Sequence, residues 1–414
     1  MGKRCMKNKR YYAKCILVFV FVTVFTSMCF VSLPAYAAGE DETYAQDKSI
    51  EEKIMEEQIE ADEVDLLEKE LKKYKDEKID EILPGYDPEK IIRDVAKGKL
   101  NFNLPDIINK ILTYLFEEIY LNMGILVKLM VLVALCAILN NLQSSFLNKG
   151  VGELAFYVCY IVLVSILLVS FSSVVKSGTE IIDRMVNFMY SSIPVLVTLI
   201  ISSGNISSGG VLQPLLIMVV QVSATIIKNI LIPLIVLSTI ISIVDNISDK
   251  IQISRLSSFL KNITQWTLGL ILTIFVAIVS LQGSLGAVVD GVTSKTAKFA
   301  IGAFIPVAGK YLADAADAVI GCTLLIKNAV GVAIMIGIVV ICLLPLLKIL
   351  AVVLLYRMAC VLLEPLAEGR IIKCISDVAG SMAHILGIAA SVAFMFLMTV
   401  TALILASNIS TMIR

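Results

Sequence analysis

The chain has almost none of the residues that soluble enzymes use for chemistry near neutral pH. Its 414 residues include one histidine, His384, and one tryptophan, Trp266. It contains no GxxxxGK[ST] loop, no GxGxxG turn, no HExxH and no GxSxG. The short motifs that cradle nucleotides, hold zinc or present a nucleophile are therefore missing. Cysteine is not arranged for chemistry either. Cys5, Cys15 and Cys29 fall near the N-terminus, and Cys136, Cys159, Cys322, Cys342, Cys360 and Cys374 fall in or beside apolar runs, with no CxxC pair. Small buried hydrophobes are expected there, not disulfides or metal ligands. His384 opens the last apolar run, where a hydrogen-bonded packing role is expected. Neither catalytic residues nor a cofactor, metal or nucleic-acid partner are expected, and an enzyme is not. Any ATP-driven step would need another chain.

Charge is the other scarcity. Charged residues make up 17% and hydrophobic residues 58%, against roughly 25% and 45–50% in soluble domains. Runs such as 154–175 and 330–347 approach the roughly 18–20 apolar residues that cross about 30 Å of hydrocarbon. Lipid is thus the first expected partner. The zero net charge hides segregation: over residues 39–118 acids outnumber bases two to one.

What is present reads in three parts. Residues 1–37 have the layout of a cleavable signal peptide: Lys3, Arg4, Lys7, Lys9, Arg10 and Lys14, then the apolar stretch 15–31, then Ala35-Tyr36-Ala37 as a small-x-small site. Residues 38–119 form an acidic helical segment that would begin outside the cytoplasm. Ser49 to Glu52 has the form of a capping box. Val64, Leu67, Leu71 and Tyr74 follow at 3-4-3 spacing, a stripe that either packs on its own domain or binds a partner helix. Residues 105–118 are amphipathic and suit the membrane interface. Residues 120–408 form the polytopic domain, an all-α fold of about seven to nine spans. Candidates are 121–139, 154–175, 185–201, 211–227, 230–244, 264–285, 330–347, 349–363 and 383–406. Residues 230–244 follow Lys228-Asn229 and contain Pro233, so 211–244 is expected to be a tight hairpin or a kinked pair. Counting from outside, residues 245–265, with Lys250, Arg255 and Lys261, and 364–377, with Arg370 and Lys373, both face the cytoplasm, as the positive-inside rule requires. The C-terminus then ends outside.

Candidate functional residues are charges among these spans, because a charge at mid-bilayer costs at least about 2.5–3.5 kcal/mol. Lys128 and Arg357 are two; Lys228 and Lys348 lie where a lysine can snorkel. The stretch FIPVAGKYLADAADAVIGC, residues 304–322, is the most unusual. Asp314 and Asp317 share a helix face and are flanked by alanines that allow close helix approach. They must meet water, a base such as Lys310, or a facing subunit of a homo-oligomer. Pro306 and Gly309 suggest a break before a short helix, as in re-entrant or pore-lining elements; the other reading is a helix end capped in the outer interface.

Those residues also carry a resemblance. KFAIGAFIPVAGKYLADAADAVIGC (298–322), LLIKNAVG (324–331), LVALCAILNNLQSSF (132–146) and EPLAEGRI (364–371) resemble the stage III sporulation protein AE family of endospore-forming bacteria. The resemblance implies a membrane core, of permease or export-gate character, in a channel that mother-cell proteins build across the two membranes around the forespore. Ring-forming subunits and a secretion-type ATPase are the partners implied, and the mother-cell membrane is the implied location. A stand-alone secondary transporter using Asp314 and Asp317, or a non-conducting scaffold, are the alternatives.

Overall fold

Apolar stretches have only one economical way to satisfy their backbone in lipid, which is to bond it within the segment. The computed structural model is accordingly helical throughout its described residues, which are 62–145, 149–247, 253–304, 309–367 and 369–412 apart from 76, 84–85, 88–89 and 99–102. All belong to one unit of the chain, Ile54–Arg414. The expected signal peptide and the capping box at Ser49 lie outside them.

Four short helices come first: α1 (Asp62–Lys72), α2 (Glu77–Ile82), α3 (Ile91–Ala96) and α4 (Leu104–Leu121). The long ones follow: α5 (Met123–Ser145), α6 (Lys149–Ser202), α7 (Ile206–Ile226), a π-turn (Ile227–Leu231), α8 (Ile232–Asp245), α9 (Ser254–Phe304), α10 (Gly309–Leu363) and α11 (Gly369–Met412). Helices α6, α10 and α11 pack on one another at the centre; α5, α7, α8 and α9 lie around them. Among the described residues five helices are long and apolar enough to cross a membrane, or six with the bent pair Pro105–Leu121 and Met123–Leu139.

Several expected interruptions are not loops. Residues 154–175 and 185–201 lie on the single helix α6, and 330–347 and 349–363 both lie on α10. Of the two forms expected for 211–244, hairpin or kinked pair, the structure has the continuous one. Pro233 has no N–H for the ladder, and the π-turn that ends just before it absorbs the break without reversing the chain. Hydroxyls inside these helices bond their own backbone: Ser165 donates to Ile161 O at 2.8 Å and Thr198 to Pro194 O at 3.0 Å, the usual refuge for a hydroxyl in apolar surroundings. The chain truly reverses at Ser203–Asn205, where Gly204 takes φ +82°, a conformation that favours glycine.

The stripe on α1 packs on its own domain. Val64, Leu67 and Leu71 are buried, and the Tyr74 ring meets Phe188 of α6 edge-on at 6.0 Å. Helices α3 and α4 lie against α10.

Candidate functional site

The charges that interrupt the apolar helices face one another. Near the middle of α6, Asp183 accepts two hydrogen bonds from Lys228 of the π-turn, at 2.6 and 2.8 Å. The π-turn places this lysine on the α6 side, 45 residues away in sequence. On the other flank Lys348 of α10 lies 4.0 Å from Glu118 of α4. Glu118 is buried and also accepts the Tyr114 hydroxyl at 2.7 Å. Tyr190 donates to Gln221, and Lys176 pairs with Glu180 at 4.0 Å. These polar pairs on α4, α6, α7, the π-turn and α10 are termed the charged belt.

A second polar layer closes the end of the bundle that carries the α8–α9 and α10–α11 connections. Lys373 donates to Asp245 at 2.9 Å, and the same carboxylate accepts the backbone N–H of Ile253 at 2.8 Å. Asn246 donates to Asp377 at 3.4 Å, and Lys261 sits 4.0 Å from Asp377. The two segments expected to share the cytoplasmic side thus meet at one end. Beside them Ser238, Ser242 and Ser257 bond mutually at 2.5–3.1 Å, fastening α8 to α9. Replacing Ser257 with alanine orphans the Ser242 hydroxyl, while Ser238 keeps its bond to the Ser257 carbonyl, and should lower stability by about 1–2 kcal/mol, read as a lower melting midpoint in detergent.

From this base a file of polar side chains enters the bundle. His384 gives its Nδ1 proton to Gly380 O at 2.7 Å; the carbonyl can only accept, so in the neutral ring Nε2 accepts from Gln265 of α9. Arg357, half-buried, reaches toward the same turn: a Cβ built on Gly380 would lie 4.0 Å from its Nη2. Lys261, Asp377, Gln265, His384 and Arg357 therefore connect α9, α10 and α11.

The sequence-derived residues fare differently. Arg357 joins this file. Lys128 is exposed and lines a shallow apolar groove with Val131, Leu135, Val162 and Ile166. The break at Pro306 lies outside the described residues, between the end of α9 and the start of α10 at Gly309. Asp314 and Asp317, with Lys310, stand on the first turns of α10, a helix of 55 residues and not a short one; their side chains lie outside the described residues. Sequence reasoning missed Asp183, Glu118 and Asp377, which it placed in gaps between spans or at their ends. It also passed over Lys327, fully buried on α10 with Nζ 3.4 Å from Ile404 O of α11. The signal was a lone lysine within LLIKNAVG.

Known proteins resemble this arrangement in sequence. A profile of the family described as stage III sporulation protein AE matches residues 86–407, from the end of α2 almost to the end of α11. A protein of Bacillus subtilis (strain 168) named stage III sporulation protein AE is 35% identical over 323 residues, 78% of this chain and 81% of that protein. No solved structure matches the chain.

Proposed function

This chain belongs to the stage III sporulation protein AE family, and we propose that it forms the membrane core of a channel between mother cell and forespore that endospore development requires. It would sit in the mother-cell membrane around the forespore with its N-terminal region outside the cytoplasm. Ring-forming subunits and a secretion-type ATPase would assemble on it, the ATPase supplying energy that this chain has no nucleotide motif to capture. The observation that carries the reading is the polar file Lys261–Gln265–His384–Arg357, held among three apolar helices. Ionisable groups inside apolar helices are costly and mark pathways for ions or solutes. A scaffold whose only task is anchoring needs no such file.

The test replaces Gln265 and His384 together with leucine, which removes both members of one bond and leaves neither orphaned. The variant should insert and accumulate as the parent does, while heat-resistant spore counts fall to those of a strain lacking the protein. Parental spore counts with the double variant would refute the conduit and leave a scaffold.

A further inference from the structure

The long helices are longer than a bilayer is thick. At 1.5 Å per residue the 46 residues of Tyr157–Ser202 extend about 69 Å, against about 30 Å of hydrocarbon. Which part meets lipid can be read from the exposed face of α6, a single helix. Between the base and the charged belt that face carries Val158, Ile161, Val162, Leu168 and Val169. Beyond Ser172 it carries Lys176, Glu180, Arg184, Asn187 and Thr198. The change from apolar to polar falls within one turn or two of the belt. The connection between π-turn and base repeats it: exposed Ile230, Leu237 and Ile240 lie between Lys228 and Asp245.

Helices α9 and α10 bear on the same division, although Met218 and Val222 of α7, Leu281 of α9 and Leu405 of α11 are exposed beyond the belt. Helix α9 shows Phe259, Trp266, Leu270 and Ile274 to the surroundings between base and belt. Helix α10 is as apolar on both sides of Lys348, yet for different reasons. Past the belt, from Val319 to Leu347, Val319, Leu325 and Val339 are its exposed large hydrophobes; over the shorter stretch toward the base Leu354, Met358, Val361 and Leu362 are exposed. A helix apolar all round and covered all round is core, whatever its hydropathy.

We infer that the bilayer occupies only the slab between the charged belt and the base, and that the apolar halves of α6, α10 and α11 beyond the belt form a bundle outside the lipid, against which α1 packs. The spacing suits this occupant. From Lys228 to Asp245 is about 25 Å along the helix, near the hydrocarbon thickness, and Lys228 and Lys348 stand where lysine ammonium groups reach the headgroups. Helices α5, α6, α7–α8, α9, α10 and α11 then cross once each. Both ends of the crossing domain fall on the belt side, the parity expected from the basic loops. This placement does not depend on conduction.

Two measurements on the full chain in vesicles test it. Trp266 is the chain's one tryptophan and is 82% exposed. In phosphatidylcholine–phosphatidylglycerol vesicles with brominated acyl chains its fluorescence should be largely lost. Retained fluorescence would mean that protein, such as a second copy, covers this face, and would overturn lipid as its occupant. In a cysteine-free background, Asn187→Cys and Thr198→Cys should react with a charged, membrane-impermeant maleimide added from the belt side, while Ile161→Cys and Leu168→Cys should not. Protection of Asn187→Cys and Thr198→Cys to the same degree would put the far half in lipid and refute the slab. Loss of spores in the leucine double variant leaves these outcomes unchanged, so the two readings fail separately.

Discussion

Replacing Gly337 with leucine is expected to destabilise the bundle by about 3 kcal/mol or more and to release α1 from it. A Cβ at this position would lie 2.4 Å from Leu71 Cδ2 and 2.8 Å from Phe188 Cζ. The Leu71 methyl can turn aside, but the Phe188 ring is fully buried and held edge-on by Tyr74. Leucine adds three further carbons to a space that has no room for the first, and overpacking of a closed core typically costs 1–3 kcal/mol, occasionally more. Since Leu71 is the wall most able to move, α1 should leave first. Limited proteolysis would then cut within residues 62–75 at protease levels that spare the parent, and the melting midpoint in detergent would drop. Gly269→Leu is the control: its Cβ would meet nothing within 4 Å, and exposed exchanges of that kind usually stay within about 0.5 kcal/mol. Equal behaviour of the two variants would show that α1 does not dock at Gly337.

That contact illustrates which parts of the fold are legible in the sequence. The 3-4-3 stripe of Val64, Leu67, Leu71 and Tyr74 announces a helix with one buried face, because periodicity is a local property. It cannot announce the receiving surface, which is a glycine more than 260 residues away. The break expected near Pro306 falls outside the described residues, between Phe304 of α9 and Gly309 of α10. The basic segments around Lys261 and Lys373 were assigned to one side by charge alone, and the structure joins them through Asp377 and Asp245.

The charged interruptions were misread for the opposite reason. A polar run such as KSGTEIIDR, residues 176–184, looks like a connection between two spans when each charge must find its own water. Asp183 finds Lys228 instead, and Glu118 finds Lys348, so the backbone stays helical through both interruptions. Long-range pairing of this sort leaves no trace in a window of 18 residues. Each merger of two neighbouring candidate spans removes one crossing, and two mergers, within α6 and across the π-turn, precede residues 245–265, so that segment keeps its expected side. Merging also moves the question raised by Asp314 and Asp317. If lipid ends at the belt, the head of α10, on which Asp314 and Asp317 stand, lies beyond it. The file from Lys261 to Arg357 then becomes the place where a conduit would have to be built.

Within that file, removing the Asp377 carboxylate should cost about 2 kcal/mol, less than for a fully buried pair because 33% of its own side-chain surface is exposed. Its side chain faces Lys261 Nζ at 4.0 Å and accepts from Asn246 at 3.4 Å, while Lys261 keeps only 17% of its side-chain surface exposed. Asp377→Ala leaves the ammonium with the backbone carbonyl of residue 377 at 3.5 Å and no countercharge. Breaking one member of a buried pair typically costs 3–5 kcal/mol, whereas replacing both by apolar groups of similar size is often neutral. Asp377→Leu combined with Lys261→Met should therefore recover most of the melting midpoint that Asp377→Ala loses. A double-mutant cycle over these positions should show coupling well above the few tenths of a kcal/mol expected of independent sites. Additive effects would mean that Lys261 finds its water elsewhere, and that the base of the bundle is wetter than the packing of α8, α9 and α11 implies. Strong coupling would instead fix these helices to one another at the end where the file begins. Under the proposed conduit, a solute or ion entering there would have to displace an existing ion pair.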